Sequence, residues 1–236
     1  TTEIYTLSLH DALPILLRGG WQVQGVYLKM QNRKSQLVEA RRLVKKLGIG
    51  LKVVDCQKQF QEKILKAFVS DYQAGETPNP CVFCNPWIKF RFLLDQAEKD
   101  GAAYVATGHY ARVKLKRING RKIFSLKKGR DEKKDQSYFL YRLNQRQLKK
   151  IVLPLGEKKK VAVKKEAEKA GFYADNPQTE SQDVCFFSSG QTLGDFLKKR
   201  IPSQPGKIID EKGRFLGFHQ GLDRKSTRLN SSHRIR

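Results

Sequence analysis

The feature that most constrains this 236-residue chain is an alternation of strands and helices running from Val23 to Thr107. Val23–Met30 (VQGVYLKM) is β-branched and aromatic and reads as a buried strand. Ser35 is placed to cap a helix with Leu37, Ala40, Val44 and Leu47 on one face and Gly48 at its end. Leu51–Asp55 (LKVVD) gives a second strand. Phe60, Ile64, Phe68 and Tyr72 then recur every four residues, the pattern of a long amphipathic helix that stops at Gly75. After a loop rich in Pro and Asn (ETPNPCVFCNP), a helix from about Pro86 to Lys99 precedes a third short strand, Tyr104–Thr107. Strands separated by helices pair in parallel, with helices on both faces. Ligands of such sheets lie beyond the carboxyl ends of the strands. The loop after Met30, the Cys84 loop and Gly108-His109 all belong at that edge.

The second half has a different pattern. Arg112–Leu126 alternates around Asn119-Gly120, the strongest short hairpin signal. Helical segments follow at about Gln136–Leu143, Gln145–Ile151 and Val161–Ala170, and Gly206–Gly217 (GKIIDEKGRFLG) reads as a further hairpin. A soft boundary is expected near Lys128–Lys133. Residues 1–15 (TTEIYTLSLHDALPI) and 223–236 (DRKSTRLNSSHRIR) fit poorly with their neighbours. They read as a non-native leader and tail and are left out of the fold reasoning.

A chain of this length buries a core without covalent staples. The four cysteines, Cys56, Cys81, Cys84 and Cys185, are too few for a disulfide scaffold and are expected to be chemical or buried in a reducing compartment. No run approaches the roughly 20 apolar residues that span a bilayer, and the start lacks a secretory signal pattern. No membrane association and a cytoplasmic location are expected. Lys and Arg number 47 against 23 Asp and Glu, a net charge of +24. Such a field concentrates polyanions, which makes nucleic acid the expected large partner; solvated Lys-rich helix faces account for any single cluster.

Four local patterns carry chemistry. Cys81-x-x-Cys84 precedes a helix, where the helix dipole and nearby Lys89 and Arg91 favour a thiolate. A zinc site needs two more ligands than this pair supplies, and simple burial is the other alternative. Cys185 lies in a polar-then-aromatic segment, Ser181–Phe186, and reads as a strand cysteine or one half of a transient redox pair. In Lys134-Asp135-Gln136, the cation suits a phosphate and the amide a base edge, while a cap by Asp135 explains the same residues locally. Ala106-Thr-Gly-His-Tyr110 ends a strand with a Gly that admits a ligand, or a tight turn with a satisfied histidine.

The chain also carries an ordered series of motifs: Thr77-Pro-Asn-Pro80, Cys84-Asn85, Ile88-Lys-Phe90, Ala106–Arg112, Lys134–Tyr141, Leu153-Pro-Leu-Gly156, Ser181–Phe186 and His219-Gln-Gly221. Together they closely resemble the tRNA-uridine 2-sulfurtransferases, or tRNA-specific 2-thiouridylases, over Leu16 to Leu222. The resemblance implies an α/β fold. This is a doubly wound parallel-sheet ATP-pyrophosphatase domain of the adenine-nucleotide α-hydrolase group over residues 16–130, truncated at its N-terminus. A mainly helical tRNA-binding region with the second cysteine would follow over 131–205, and the start of a β domain over 206–222. It implies adenylation of the wobble-uridine 2-oxygen by ATP with Mg2+, then replacement of that oxygen by persulfide sulfur from a cysteine desulfurase or relay protein. By the same resemblance Cys185 carries the persulfide and Cys84 is the nucleophile that ends in a transient disulfide with it. Leu28 and Gly108 match ATP-contacting positions, Asn79, Pro80 and Cys81 the target base, and Lys134, Asp135 and Gln136 the tRNA. No resident metal is implied.

The chain departs from the family at three places. Cys81 stands where most members have Asp, and Pro86 where a basic residue is usual. The Ser-Gly-Gly-x-Asp-Ser pyrophosphate loop expected before Leu16 is absent, so the polypeptide as written is expected to be an inactive internal fragment. Two rival readings are another ATP-pyrophosphatase-type tRNA-modifying enzyme and a basic RNA-binding module with structural zinc.

Overall fold

The structure, a computed structural model, describes residues 3–6, 12–169, 184–188, 190–202 and 205–219. The chain divides into two units, residues 1–60 with 81–180 and residues 61–80 with 181–236. In the first unit, chain order gives β1 (Glu3–Thr6), β2 (Gln22–Lys29), β3 (Leu51–Asp55), β4 (Tyr104–Ala106), β5 (Ala111–Ile118), β6 (Arg121–Lys128) and β7 (Ile151–Val152). Five of these form one sheet in the order β3-β2-β1-β4-β7, with every pair parallel. The chain steps outward from β1 to β3 and then crosses to the other side of β1, so strand order reverses between β1 and β4. That is the doubly wound topology expected from the sequence.

Side-chain alternation along β1 shows why helices cover both faces. Ile4 packs with Leu13, Leu16, Ala40, Leu43 and Val44, from the helices Ala12–Arg18 and Lys34–Lys46. Tyr5 points the other way, and its hydroxyl donates to Asp100 at 2.6 Å, just past the helix Phe90–Lys99. Lys52 and Gln96 also reach that carboxylate, each at 2.6 Å, and hold it well below the usual carboxylate range.

Residues 3–6 and 12–15 therefore do contribute to the fold, contrary to the expectation above. Glu3–Thr6 is the central strand, with partners on both edges. Four residues with no periodic run or turn signal do not announce a strand; tertiary pairing makes it one. The stretch 223–236 lies outside the described residues.

Three further expectations need correction. The helix expected over Gln145–Ile151 ends at Lys149, and Ile151–Val152 instead pairs with β4 as the sheet edge. No unit boundary therefore falls at Lys128–Lys133. The helix at Lys34–Lys46 begins without a side-chain cap, and Ser35 lies inside its first turn. Ala40 and Val44 are buried as the periodicity requires.

The hairpin β5–β6 forms as its turn residues demand. Asn119 and Gly120 both take positive φ, 49° and 74°, the geometry of a type I′ turn. The Leu153-Pro-Leu-Gly156 motif finds its reason beside the start of β5. Gly156 accepts from the Arg130 N–H at 2.8 Å, and a side chain there would run into the Ala111 carbonyl.

In the second unit, helical turns Gln61–Leu65 and Lys66–Gln73 bury Ile64, Phe68 and Tyr72, in line with the four-residue recurrence. Phe68 meets Phe186, Phe187 and Phe196 edge-on, with ring centroids 5.1, 6.3 and 5.9 Å away. Thr192 and Asp195 cap the helix Leu193–Lys198 reciprocally. β8 (Gly206–Ile209) and β9 (Phe215–His219) form the expected second hairpin. Among the described residues, no helix is long and apolar enough to cross a membrane.

Because a methyl at position 156 meets backbone that cannot swing aside, Gly156→Ala should lower stability by about 1–3 kcal/mol. Urea unfolding of both proteins measures it, and an unchanged midpoint contradicts the packing described.

Candidate functional site

Register decides what surrounds the carboxyl end of β1. Thr6 pairs with Gly25 on β2 and with Ala106 on β4. Leu28, buried, and Gly108, half-buried, therefore lie past the level of Thr6 on the two flanking chains. In doubly wound sheets, ligands bind beyond this carboxyl edge. The residues directly after β1, 7–11, lie outside the described residues.

Three sequence motifs converge on the loop that follows β4. Gln136 grips it at Tyr110. Its side-chain oxygen accepts from the Tyr110 N–H at 3.0 Å, and its own N–H donates to the Tyr110 carbonyl at 2.8 Å. The amide that the sequence offers to a base edge is thus engaged with the protein's own backbone. Asp135 is not a helix cap, since Gln136 holds the N-cap position of the turn that follows; its oxygens accept from the N–H groups of Gly129 (2.8 Å) and Ser137 (3.2 Å) and from the Ser137 hydroxyl (2.7 Å). Burial opposes its charge, but these donors and Lys128 outweigh that and hold its carboxyl below its ordinary value. Lys134, half-buried, ends the short turn Glu132–Lys134. The α-helix expected over Gln136–Leu143 is instead a 3-10 turn, Ser137–Leu140.

His109 is satisfied locally, as its alternative reading held. Its Nδ1 is 2.8 Å from the Thr107 hydroxyl, and the Phe90 ring lies 5.9 Å from the imidazole. Burial first and the Lys89 ammonium second push its pKa well below the ordinary value.

The cysteine pair sits differently from expectation. Helix begins at Pro80, not Pro86: Pro80–Cys84 is α-helical, Asn85–Lys89 is a π turn, and Phe90–Lys99 is α-helical again. Pro86 has no N–H to give the preceding turn. The helix widens around it, so that the Phe90 N–H bonds Asn85 five residues back. Cys81 thus occupies the first turn, half-buried, while Cys84 lies a turn inside, only 4% exposed. The pair expected to precede a helix thus lies inside one.

Asn85, beside Cys84, is a residue the sequence left without a role. Its Nδ2 donates to the Phe139 carbonyl at 2.9 Å, tying the cysteine helix to the Lys134–Tyr141 motif. Gln147 adds a bond to the Pro86 carbonyl at 3.3 Å. The only sequence signal for Asn85 was its place in the Cys84-Asn85 motif.

Cys185 lies in the second unit, in a turn rather than a strand, and is exposed, anchored by its buried neighbour Phe186. Asn79 and Pro80 also belong to the second unit; Cys81 and Cys84 belong to the first. None of the four cysteines is in a disulfide. Cys56 is fully buried, and burial, then the Asp55 charge, push it up to about 12. Among the described residues no three His, Cys, Asp or Glu side chains cluster as metal ligands, so the zinc alternative finds no ligand set there.

The family model of the tRNA methyl transferase HUP domain matches residues 11–189. A tRNA-specific 2-thiouridylase MnmA from Fervidobacterium nodosum is 36% identical over 226 residues, covering 89% of this chain and 62% of that protein. The MnmA 1 of Caldanaerobacter subterraneus is 45% identical over 186 residues, 78% of this chain and 50% of that protein. The Dehalococcoides mccartyi MnmA is 40% identical over 220 residues, 89% and 60%. The chain thus spans half to three-fifths of the length of these relatives.

Two outcomes follow from the burial pattern. A histidine held neutral in the fold takes up a proton on unfolding below its free value near 6.5, so its contribution is present above that pH and lost as pH falls. Denaturant unfolding between pH 7.5 and 5 should lose up to about 1.4 kcal/mol per pH unit from this source, and His109→Gln should flatten the slope. Alkylation mapped by mass spectrometry should label Cys185 first and reach Cys84 and Cys56 only on unfolding; early labelling of Cys56 contradicts the burial described.

Proposed function

The chain belongs to the tRNA methyl transferase HUP domain family, and from that premise we propose that it forms the catalytic part of an ATP-dependent tRNA-uridine 2-sulfurtransferase. The observation that carries the reading is the convergence of the Cys84-Asn85, Ala106–Arg112 and Lys134–Tyr141 motifs beside the carboxyl edge of the sheet. The names of the curated relatives support the choice of reaction.

On this reading ATP, bound with Mg2+ carried on its phosphates, supplies the adenylyl group that turns the uracil 2-oxygen into a leaving group. Leu28 and Gly108 form the walls against which the nucleotide lies. The loop after β4 keeps its shape because Gln136 holds both polar groups of Tyr110, so the wall does not yield when the ligand arrives. Lys134 meets the tRNA backbone, with Asp135 and Gln136 holding the turn that presents it. Asn79, Pro80 and Cys81 border the target base.

Sulfur arrives on Cys185, whose exposure suits exchange with a cysteine desulfurase or relay protein. The terminal persulfide sulfur attacks uracil C2, and AMP departs with the former 2-oxygen. The Cys84 thiolate attacks the Cys185 sulfur and breaks its bond to the transferred atom, which stays on C2. The product is a Cys84–Cys185 disulfide, which takes two electrons and two protons from an external dithiol before the next cycle.

In a full-length 2-thiouridylase carrying these residues, Cys84→Ser and Cys185→Ser should each reduce 2-thiouridine in tRNA to background, whereas Cys56→Ser should retain it. Nucleoside mass spectrometry of tRNA from a strain without its own enzyme reads the result. Full thiolation by the Cys84 or Cys185 variant removes that residue from the mechanism.

A further inference from the structure

The first unit carries an exposed band of rings with one cation among them. Trp87 is 40% exposed, Tyr138 62% and Tyr141 58%. Phe83 and Trp87 lie 5.0 Å apart between centroids. The Arg142 guanidinium carbon sits over both, 4.6 Å from the Phe83 ring and 5.8 Å from the Trp87 ring. Its chain neighbour Tyr141 is 5.9 Å from Tyr138, which in turn meets Phe139 edge-on at 5.6 Å. The bond from Asn85 to the Phe139 carbonyl fastens the two halves of the band together.

Exposed large rings in a contiguous patch mark a binding surface, and three features choose its occupant. The chain carries +24, so the occupant is a polyanion. Among the described residues Arg142 meets rings and pairs with no carboxylate. The rings are flat, partly uncovered and interleaved with a cation, the arrangement on which unpaired bases stack while their phosphates meet basic groups. Duplex RNA offers no free base faces to such a surface.

We propose that Trp87, Arg142, Tyr138 and Tyr141 form a stacking platform for unpaired bases of single-stranded RNA. This rests on the tRNA-modifying reading above and adds to it residues that read base faces beyond the target nucleotide. Pro86 serves the platform: in the π turn around it, Trp87 is exposed between buried Asn85, Pro86 and Ile88.

The test uses the full chain in a Trp21→Phe background, which leaves Trp87 as the sole tryptophan. A 12-nucleotide oligouridine should quench Trp87 fluorescence, and an abasic ribose-phosphate strand of equal length should bind without quenching. Trp87→Ala, and separately Tyr138→Ser with Tyr141→Ser, should each weaken oligouridine binding about 5- to 150-fold, the stacking contribution of one base. Because these side chains are exposed, the Tyr variants should melt with the parent, and Trp87→Phe should restore most of the affinity. Salt-dependent oligouridine binding that is indifferent to all three ring substitutions overturns the platform and leaves the tRNA reading standing. Failure to bind either strand or whole tRNA at low salt overturns both.

Discussion

A parallel strand in the middle of a sheet has no edge to give to solvent. Every N–H and C=O of β1 needs a partner on β2 or β4, since an unpaired buried backbone group costs as much as a lost hydrogen bond. That demand fixes two registers at once, Thr6 to Gly25 and Thr6 to Ala106. With those set, Leu28 and Gly108 have no freedom to lie anywhere but beyond the end of β1. The same strand sets the layers, with Ile4 in one core and Tyr5 reaching the charged cluster at Asp100 on the other side.

The loop after β4 is held by a division of labour that side-chain chemistry alone does not reveal. Gln136 uses both its amide oxygen and its backbone N–H on one residue, Tyr110. Asp135 spends its lone pairs on Gly129 and Ser137. A motif that looks like three RNA-facing polar residues therefore has two of them, Asp135 and Gln136, engaged in the protein's own turn.

How much of this was legible in the sequence depended on where the signal resided. β2, β3, β4 and the hairpin were legible because β-branched runs and Asn119-Gly120 carry local information. β1 and β7 were not, being four and two residues long and made into strands by partners distant in sequence. The helix starting at Pro80 was read as loop because Pro and Asn crowd residues 77–86, and only the π turn reconciles Pro86 with a continuing helix. The candidate site divides the same way. The motif residues were named through the family resemblance, but the roles of Asn85 and Gln136 needed coordinates, because a side-chain amide carries no sign of whether its partner is a ligand or the protein's own backbone.

The helix from Pro80 to Lys99 couples two things that the proposed chemistry needs together. Its first turns hold Cys81 and Cys84, and the widened turn that follows sets Trp87 outward on the same rigid element. Asn85 stands between them, 1% exposed, with its amide nitrogen bonded to Phe139. Turning the amide over would set two oxygens against each other, so that bond fixes its orientation and leaves Oδ1 as a buried acceptor with no protein donor among the described residues. An unmet buried acceptor costs about 1–3 kcal/mol, and the helix tolerates it because the same side chain locks the thiol-bearing turn to the Tyr138–Tyr141 segment. Asn85, with Gln147 at the neighbouring Pro86 carbonyl, thus ties the helix that carries the thiols to the segment that carries the rings.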